Sequence, residues 1–155
     1  MSHEARLAAA GLALPGPFAP HPPLVGCLVV QGVARTSGAL PRDVDGRIEP
    51  TGRLGAEVTP DAGAVAAGLA AANAVALLRA EVGSLDAVER ITAMTVYVAC
   101  TPDFADLPAV ADGASRFLVE VFGEAGRHTR AAIGVAALPR GAPVEVELHA
   151  VVRPG

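Results

Sequence analysis

No lysine occurs anywhere in the 155 residues, so all twelve basic side chains are arginines. That excludes Schiff-base catalysis on a lysine and the phosphate-gripping lysine of a P-loop. Aromatic residues are also scarce, at 3%, which leaves little material for base-stacking platforms. The formal charge is −4 and the pI is near 5.5. Affinity for nucleic acid rests on clustered cations, so no nucleic-acid partner is expected. No apolar run was found that reaches the roughly 18 to 20 residues needed to cross a bilayer, so no membrane partner is expected either. Cys27 and Cys100 lack metal-ligand spacing, and His3, His21, His128 and His149 form no HExxH-like cluster. Neither a metal nor another cofactor is expected, and the two thiols read as free, buried hydrophobes in a cytoplasmic protein.

What is present is apolar material in periodic segments. Hydrophobic residues make up 52% of the chain and charged ones 18%. At this length a single core is the simple expectation. Part of the apolar surface is expected to be buried between subunits. Residues 1–23 read as a short amphipathic helix followed by a proline-rich connector. Glu4 and the lack of a small-residue cleavage site argue against a leader peptide. From residue 24 onward the chain reads as one domain.

Within that domain, "CLVVQGVARTSGALP" predicts two short strands folded about Gln31-Gly32. The stretch "RDVDGRIEPTGRLG" has the Gly, Pro and Asp of a loop. Thr59-Pro60-Asp61 predicts a helix start and Gly83 its stop, with Val65, Leu69, Ala72 and Ala76 at helical spacing. "ITAMTVYVAC" predicts a strand apolar on both faces. A second Thr-Pro-Asp at 101–103 predicts a helix running to Gly123 through Leu107, Val110, Ala114, Phe117, Leu118 and Val121. Strands at 130–137 and 144–152 close the chain. This order predicts an α+β fold in which a mixed β-sheet carries two helices on one face. A partner subunit is the simple candidate to cover the other face.

The last two strands hold the chemistry. Strand alternation places Arg130, Ala132, Gly134 and Ala136 in one row, a guanidinium heading small side chains. It also sets Glu145, Glu147 and His149 opposite Val144, Val146, Leu148 and Ala150. Arg130 can then be an edge cation paired to one of the glutamates. Alternatively it heads a hollow suited to a small carboxylate held by two parallel hydrogen bonds, with a glutamate positioning water. His149 reads as structural ahead of catalytic, Tyr97 as core or interface, and Arg127 and His128 as solvating a loop ahead of shaping the cleft rim.

"TSGALP" (36–41), "RAAIGVAALPRGAPVEVELHAV" (130–151) and the helix-strand-helix between them resemble the RidA (YjgF, endoribonuclease L-PSP) family, which has the chorismate-mutase-like fold. "RLAAAGLALPGPFAP" and "DFADLP…GASRFLVEVFGEAGRHTR" resemble one bacterial branch of it. The resemblance implies a barrel-like homotrimer with clefts between subunits. It also implies hydrolysis of reactive 2-imino or enamine acids to 2-keto acids and ammonia. Carried over by motif, Arg130 clamps the substrate carboxylate, Glu145 orients the water, and Ser37, Gly38 and Ala132 line the cleft. Ala132 stands where many members have cysteine, and an aromatic residue usual in the first strand has no clear counterpart. The asparagine often found on the second helix is not evident, Asp112 being the nearest polar residue. The alternative from another class is a non-catalytic trimer that binds small carboxylates such as keto acids.

Overall fold

The computed structural model describes residues 1–154. Helix α1 (His3–Ala9) is capped by the Ser2 hydroxyl, which accepts from the Ala5 N–H. It packs against a later helix. Strands β1 (Cys27–Val30) and β2 (Val33–Thr36) form a hairpin. Gln31 and Gly32 both adopt positive φ, 51° and 76°. Two such residues in succession match the twist of a two-residue hairpin turn.

Helix α2 (Pro60–Val82) starts and stops where its signals predict. Thr59 accepts from Ala62 N–H, and Gly83 (φ 82°) ends it. The apolar stripe is a different matter. Val65 is 74% exposed, while Gly63, Ala66, Ala67 and Ala70 are buried. From Ala70 to Leu78 every residue is buried, because α2 packs on the sheet and beside a second helix, and loop residues reach it as well: Asn73 Nδ2 donates to Arg42 O, and Gly26 lies against Leu77. A helix enclosed on several sides buries apolar residues all round, not along one stripe. Its composition also corrects the reading of hydropathy. The 23-residue α2 is long and apolar enough to cross a membrane, but 67% of its apolar window is buried inside the fold.

Strand β3 (Val88–Ala99) is longer than predicted, and its alternation is broken. A register shift between Ile91 and Ala93 lets Ile91 join Met94, Val96 and Val98 on the helix side, all buried. Helix α3 (Leu107–Phe122) begins four residues after Thr101-Pro102-Asp103. The Thr101 N–H meets Leu54 O, continuing the ladder at the end of β3, and Thr101 O accepts from Phe104 N–H in a single turn that does not propagate into a helix. Asp106 takes the cap position without a side-chain bond, and Pro108 falls in the first turn. Strands β4 (Thr129–Val135) and β5 (Val144–Val152) follow.

The five strands are ordered β1-β2-β5-β3-β4, with β3 and β4 parallel and the rest antiparallel. It is the mixed α+β sheet expected. Helices α2 and α3 cover one face, where Met94, Val96, Val98, Val144, Val146, Leu148 and Ala150 pack under them. The two helices touch closely: a Cβ on Gly113 would collide with Ala64 O, and one on Gly68 would lie 3.3 Å from Gly113 O. The other sheet face is open. Leu28, Val30, Val33 and Ile133 stand on it 57%, 63%, 48% and 43% exposed.

Candidate functional site

Pairing across the sheet decides which predicted residues can meet. Arg130 is level with Met94, and Met94 with Leu148, in a row on the helix-covered face. Glu145 is level with Tyr97, and Tyr97 with Ile133, in a row on the open face. Arg130 and Glu145 therefore lie on opposite faces of the sheet, with β3 between their strands. Neither glutamate answers Arg130 within one protomer, which corrects the edge-pair reading.

Arg130 is answered from α3. Its Nη1 donates to Asp112 Oδ1 at 2.8 Å and to Ser115 Oγ at 3.0 Å. These partners are three residues apart and share a helix face. Ser115 Oγ is 3.0 Å from His128 Nε2, and His128 Nδ1 is 2.6 Å from Gly126 O. A carbonyl only accepts, so Nδ1 carries the proton; in the neutral ring Nε2 then accepts from the Ser115 hydroxyl. The hydroxyl oxygen is thereby left to receive Arg130. His128 is thus the end of a relay, not the solvated loop residue expected. The Arg130 side chain is 22% exposed and Asp112 50%.

The small-residue row beyond Arg130 does leave space, but at its far end. Ala132 packs against the core. Around Gly134 lies an open depression of about 360 Å³, lined by Arg53, Cys100, Phe104, Leu107 and neighbours, and Arg130 is not in its wall. A Cβ at Gly134 would stand 2.9 Å from Cys100 Sγ.

On the open face Glu145 sits under Gly38. A Cβ at Gly38 would collide with Glu145 Oε1 and stand 2.8 Å from its Cδ. This brings together two of the predicted site residues. The chain reaches Gly38 by leaving β2 and rejoining β5, where Ala39 and Val146 exchange backbone hydrogen bonds. Ser37 is held beside it: its hydroxyl donates to Val25 O at 2.6 Å and its N–H to Gly26 O at 2.8 Å. Ser37 and Arg35 line a second open depression of about 370 Å³.

Burial, and then the charge of Glu147, push the Glu145 carboxyl above the usual carboxylate range. Glu147 is itself partnered. It accepts from Tyr97 Oη at 3.1 Å and has Arg35 at 3.7 Å. Burial, and then Glu147, raise the Tyr97 phenol. Sequence reasoning noted Asp112 only as the polar residue nearest the family's helix asparagine, and missed Ser115 and the pairing of both with Arg130. The available signal was their three-residue spacing in the otherwise apolar first half of that helix, Leu107 to Ser115. Among the described residues no three His, Cys, Asp or Glu side chains gather as a metal site would require.

A five-stranded mixed sheet with two helices on one face, a cationic group at one edge and a half-buried carboxyl on the open face defines an α+β protein of the YjgF type. Its family follows from comparison: residues 4–151 match the profile described as "YjgF/chorismate mutase-like, putative endoribonuclease", and the chain belongs to that family. It is 41% identical over 145 residues to Protein TCP17 of Trypanosoma cruzi, covering 92% of this chain and 89% of that one. The crystal structure of Atu1372 from Agrobacterium tumefaciens superposes with a TM-score of 0.89 at 33% identity, covering 98% of this chain and 94% of that one. Escherichia coli TdcF with bound serine superposes with a TM-score of 0.62 at 25% identity, covering 90% and 98%.

Proposed function

We propose that the protein is a hydrolytic deaminase of reactive 2-imino and enamine acids, yielding a 2-keto acid and ammonia. The observation that carries this reading is the division of the site. A cationic clamp (Arg130, with Asp112 and Ser115) and a half-buried carboxyl (Glu145, under Gly38) lie on opposite faces of one sheet. A second copy of the chain is the economical way to bring them together. The exposed Leu28, Val30, Val33 and Ile133 on the open face give such a copy an apolar surface to cover. The assembly is accordingly proposed as a homotrimer with clefts between subunits, acting in the cytoplasm.

In that cleft Arg130 holds the substrate carboxylate, and Ser37 and Gly38 line the wall beside the imine. Glu145 takes a proton from water as the water oxygen bonds to C2, forming a carbinolamine. It returns that proton to nitrogen and then takes the carbinolamine O–H proton as the C–N bond breaks, so that the C2 carbonyl forms and ammonia leaves, taking up that last proton as ammonium. A carboxyl raised above its usual range is suited to both proton steps. Imines hydrolyse in water unaided, so the roughly 10²- to 10⁴-fold available from one positioned base is sufficient. Ala132, which contributes no thiol, is no obstacle. The net charge of −4 makes RNA a poor substrate.

A second reading, a non-catalytic binder of small carboxylates, is favoured by one comparison, the serine bound to TdcF. The test generates 2-iminopropanoate in situ with an amino-acid oxidase and compares wild type, Arg130→Ala and Glu145→Gln. The deaminase reading expects both variants to fall to the background rate, with carboxylate binding kept in Glu145→Gln. Wild type at the background rate rejects the deaminase on that substrate.

A further inference from the structure

We infer that the Arg130 clamp selects ligands that carry a cationic nitrogen beside their carboxylate, and that Asp112 sets this preference. The inference rests on the proposed role of Arg130 as carboxylate clamp and adds the class of ligand it takes. Nη1 is fully engaged, donating to Asp112 Oδ1 and to Ser115 Oγ. Among the described residues neither Nε nor Nη2 has a hydrogen-bond partner. Those two nitrogens form the side edge of the guanidinium, which presents two parallel N–H groups to a carboxylate.

A carboxylate docked on that edge would share the guanidinium with the Asp112 carboxylate, which is held on Nη1. The charge of the clamp is then close to zero, one guanidinium against one carboxylate. A simple keto-acid anion meets the guanidinium and a like charge together. An iminium or ammonium acid brings its own positive nitrogen, and Asp112 Oδ2 is free to receive it. Such a site favours the zwitterion that enters over the keto-acid anion that leaves.

A like charge within about 4 to 6 Å shifts an equilibrium by one to three powers of ten. Asp112 is 50% exposed, so screening puts the expected effect at the low end, about tenfold. Calorimetric titration of the full chain with L-alanine and with pyruvate, in wild type and Asp112→Asn, tests this. The two probes share a three-carbon acid and differ in the charge at C2. Wild type is expected to bind alanine at least tenfold more tightly than pyruvate. Asp112→Asn, which keeps the hydrogen-bonding shape, should tighten pyruvate about tenfold and leave alanine unchanged or weaker. Asp112→Ala, with the fold checked by circular dichroism, should move the ratio in the same direction. Equal affinities that neither variant alters overturn the inference while leaving the clamp standing. Absence of binding by both probes overturns the inference and the clamp together, and turnover in the oxidase assay is judged separately from either result.

Discussion

Replacing Gly38 with alanine separates the two ways a close contact can matter. Gly38 is outside the left-handed region, so alanine meets no backbone strain there. The new Cβ would instead overlap Glu145 Oε1 and stand 2.8 Å from Cδ and 3.1 Å from Cγ. Carbon atoms rest at about 3.5 to 4.0 Å, so the carboxyl end of Glu145 must move by roughly 1 Å. That end is flexible and half-buried, so the displacement costs little. The loss of unfolded-chain freedom on Gly→Ala, about 0.4 to 1 kcal/mol, works in the other direction. Net stability should change by less than about 1 kcal/mol, which is about 2 to 4 °C in Tm for a chain of this size. Catalysis is less forgiving. A misplacement of about 1 Å can cost on the order of 10²-fold in rate, or about 2.7 kcal/mol of barrier. The assay couples pyruvate formation from in-situ 2-iminopropanoate to an NADH-dependent dehydrogenase, alongside a thermal melt. A variant with wild-type turnover would refute the placement of Glu145 as the working base. A large drop in Tm would show that the Gly38 contact serves packing.

Three further outcomes follow from the same structure. Glu145 has a folded pKa raised above its unfolded value by burial and then by Glu147. It therefore supports the fold at low pH, and that support is lost as pH rises through the folded pKa. Glu145→Gln should raise Tm more at pH 7 than at pH 4, and an equal change at both would contradict the burial argument. Gly113→Ala sets a Cβ against Ala64 O at the α2–α3 crossing. Urea unfolding should show a loss of about 1 to 3 kcal/mol or more, and an unchanged midpoint would disprove the tight crossing. Burial first, and then Glu81, raise the Cys27 thiol to about 11. Native protein should leave Cys27 unalkylated at pH 8 over times that fully label a free cysteine peptide, and rapid labelling at that position would refute it.

What could be read in the chain alone was local. Thr59, Pro60 and Gly83 delimit α2 by satisfying its unpaired ends, Gln31-Gly32 turns the first hairpin, and Val144 to Ala150 alternate on β5. Each is a matter of neighbouring residues and backbone chemistry. The family was legible for the same reason, because its motifs are contiguous. The start of α3 was not: Thr101 prolongs the β3 ladder onto Leu54, a residue remote in sequence, and its carbonyl closes only one turn with Phe104. Val65 misled because helical spacing does not report which side a neighbouring helix will cover. The site shows the division most clearly. Alternation sets Arg130 and Glu145 each on a face of its own strand, but which faces coincide depends on strand order and register. Tertiary structure alone put them on opposite sides, paired Arg130 with Asp112 and Ser115, and closed Gly38 over Glu145. Local periodicity repeats every two or four residues and carries no information about which distant strand or helix will lie alongside.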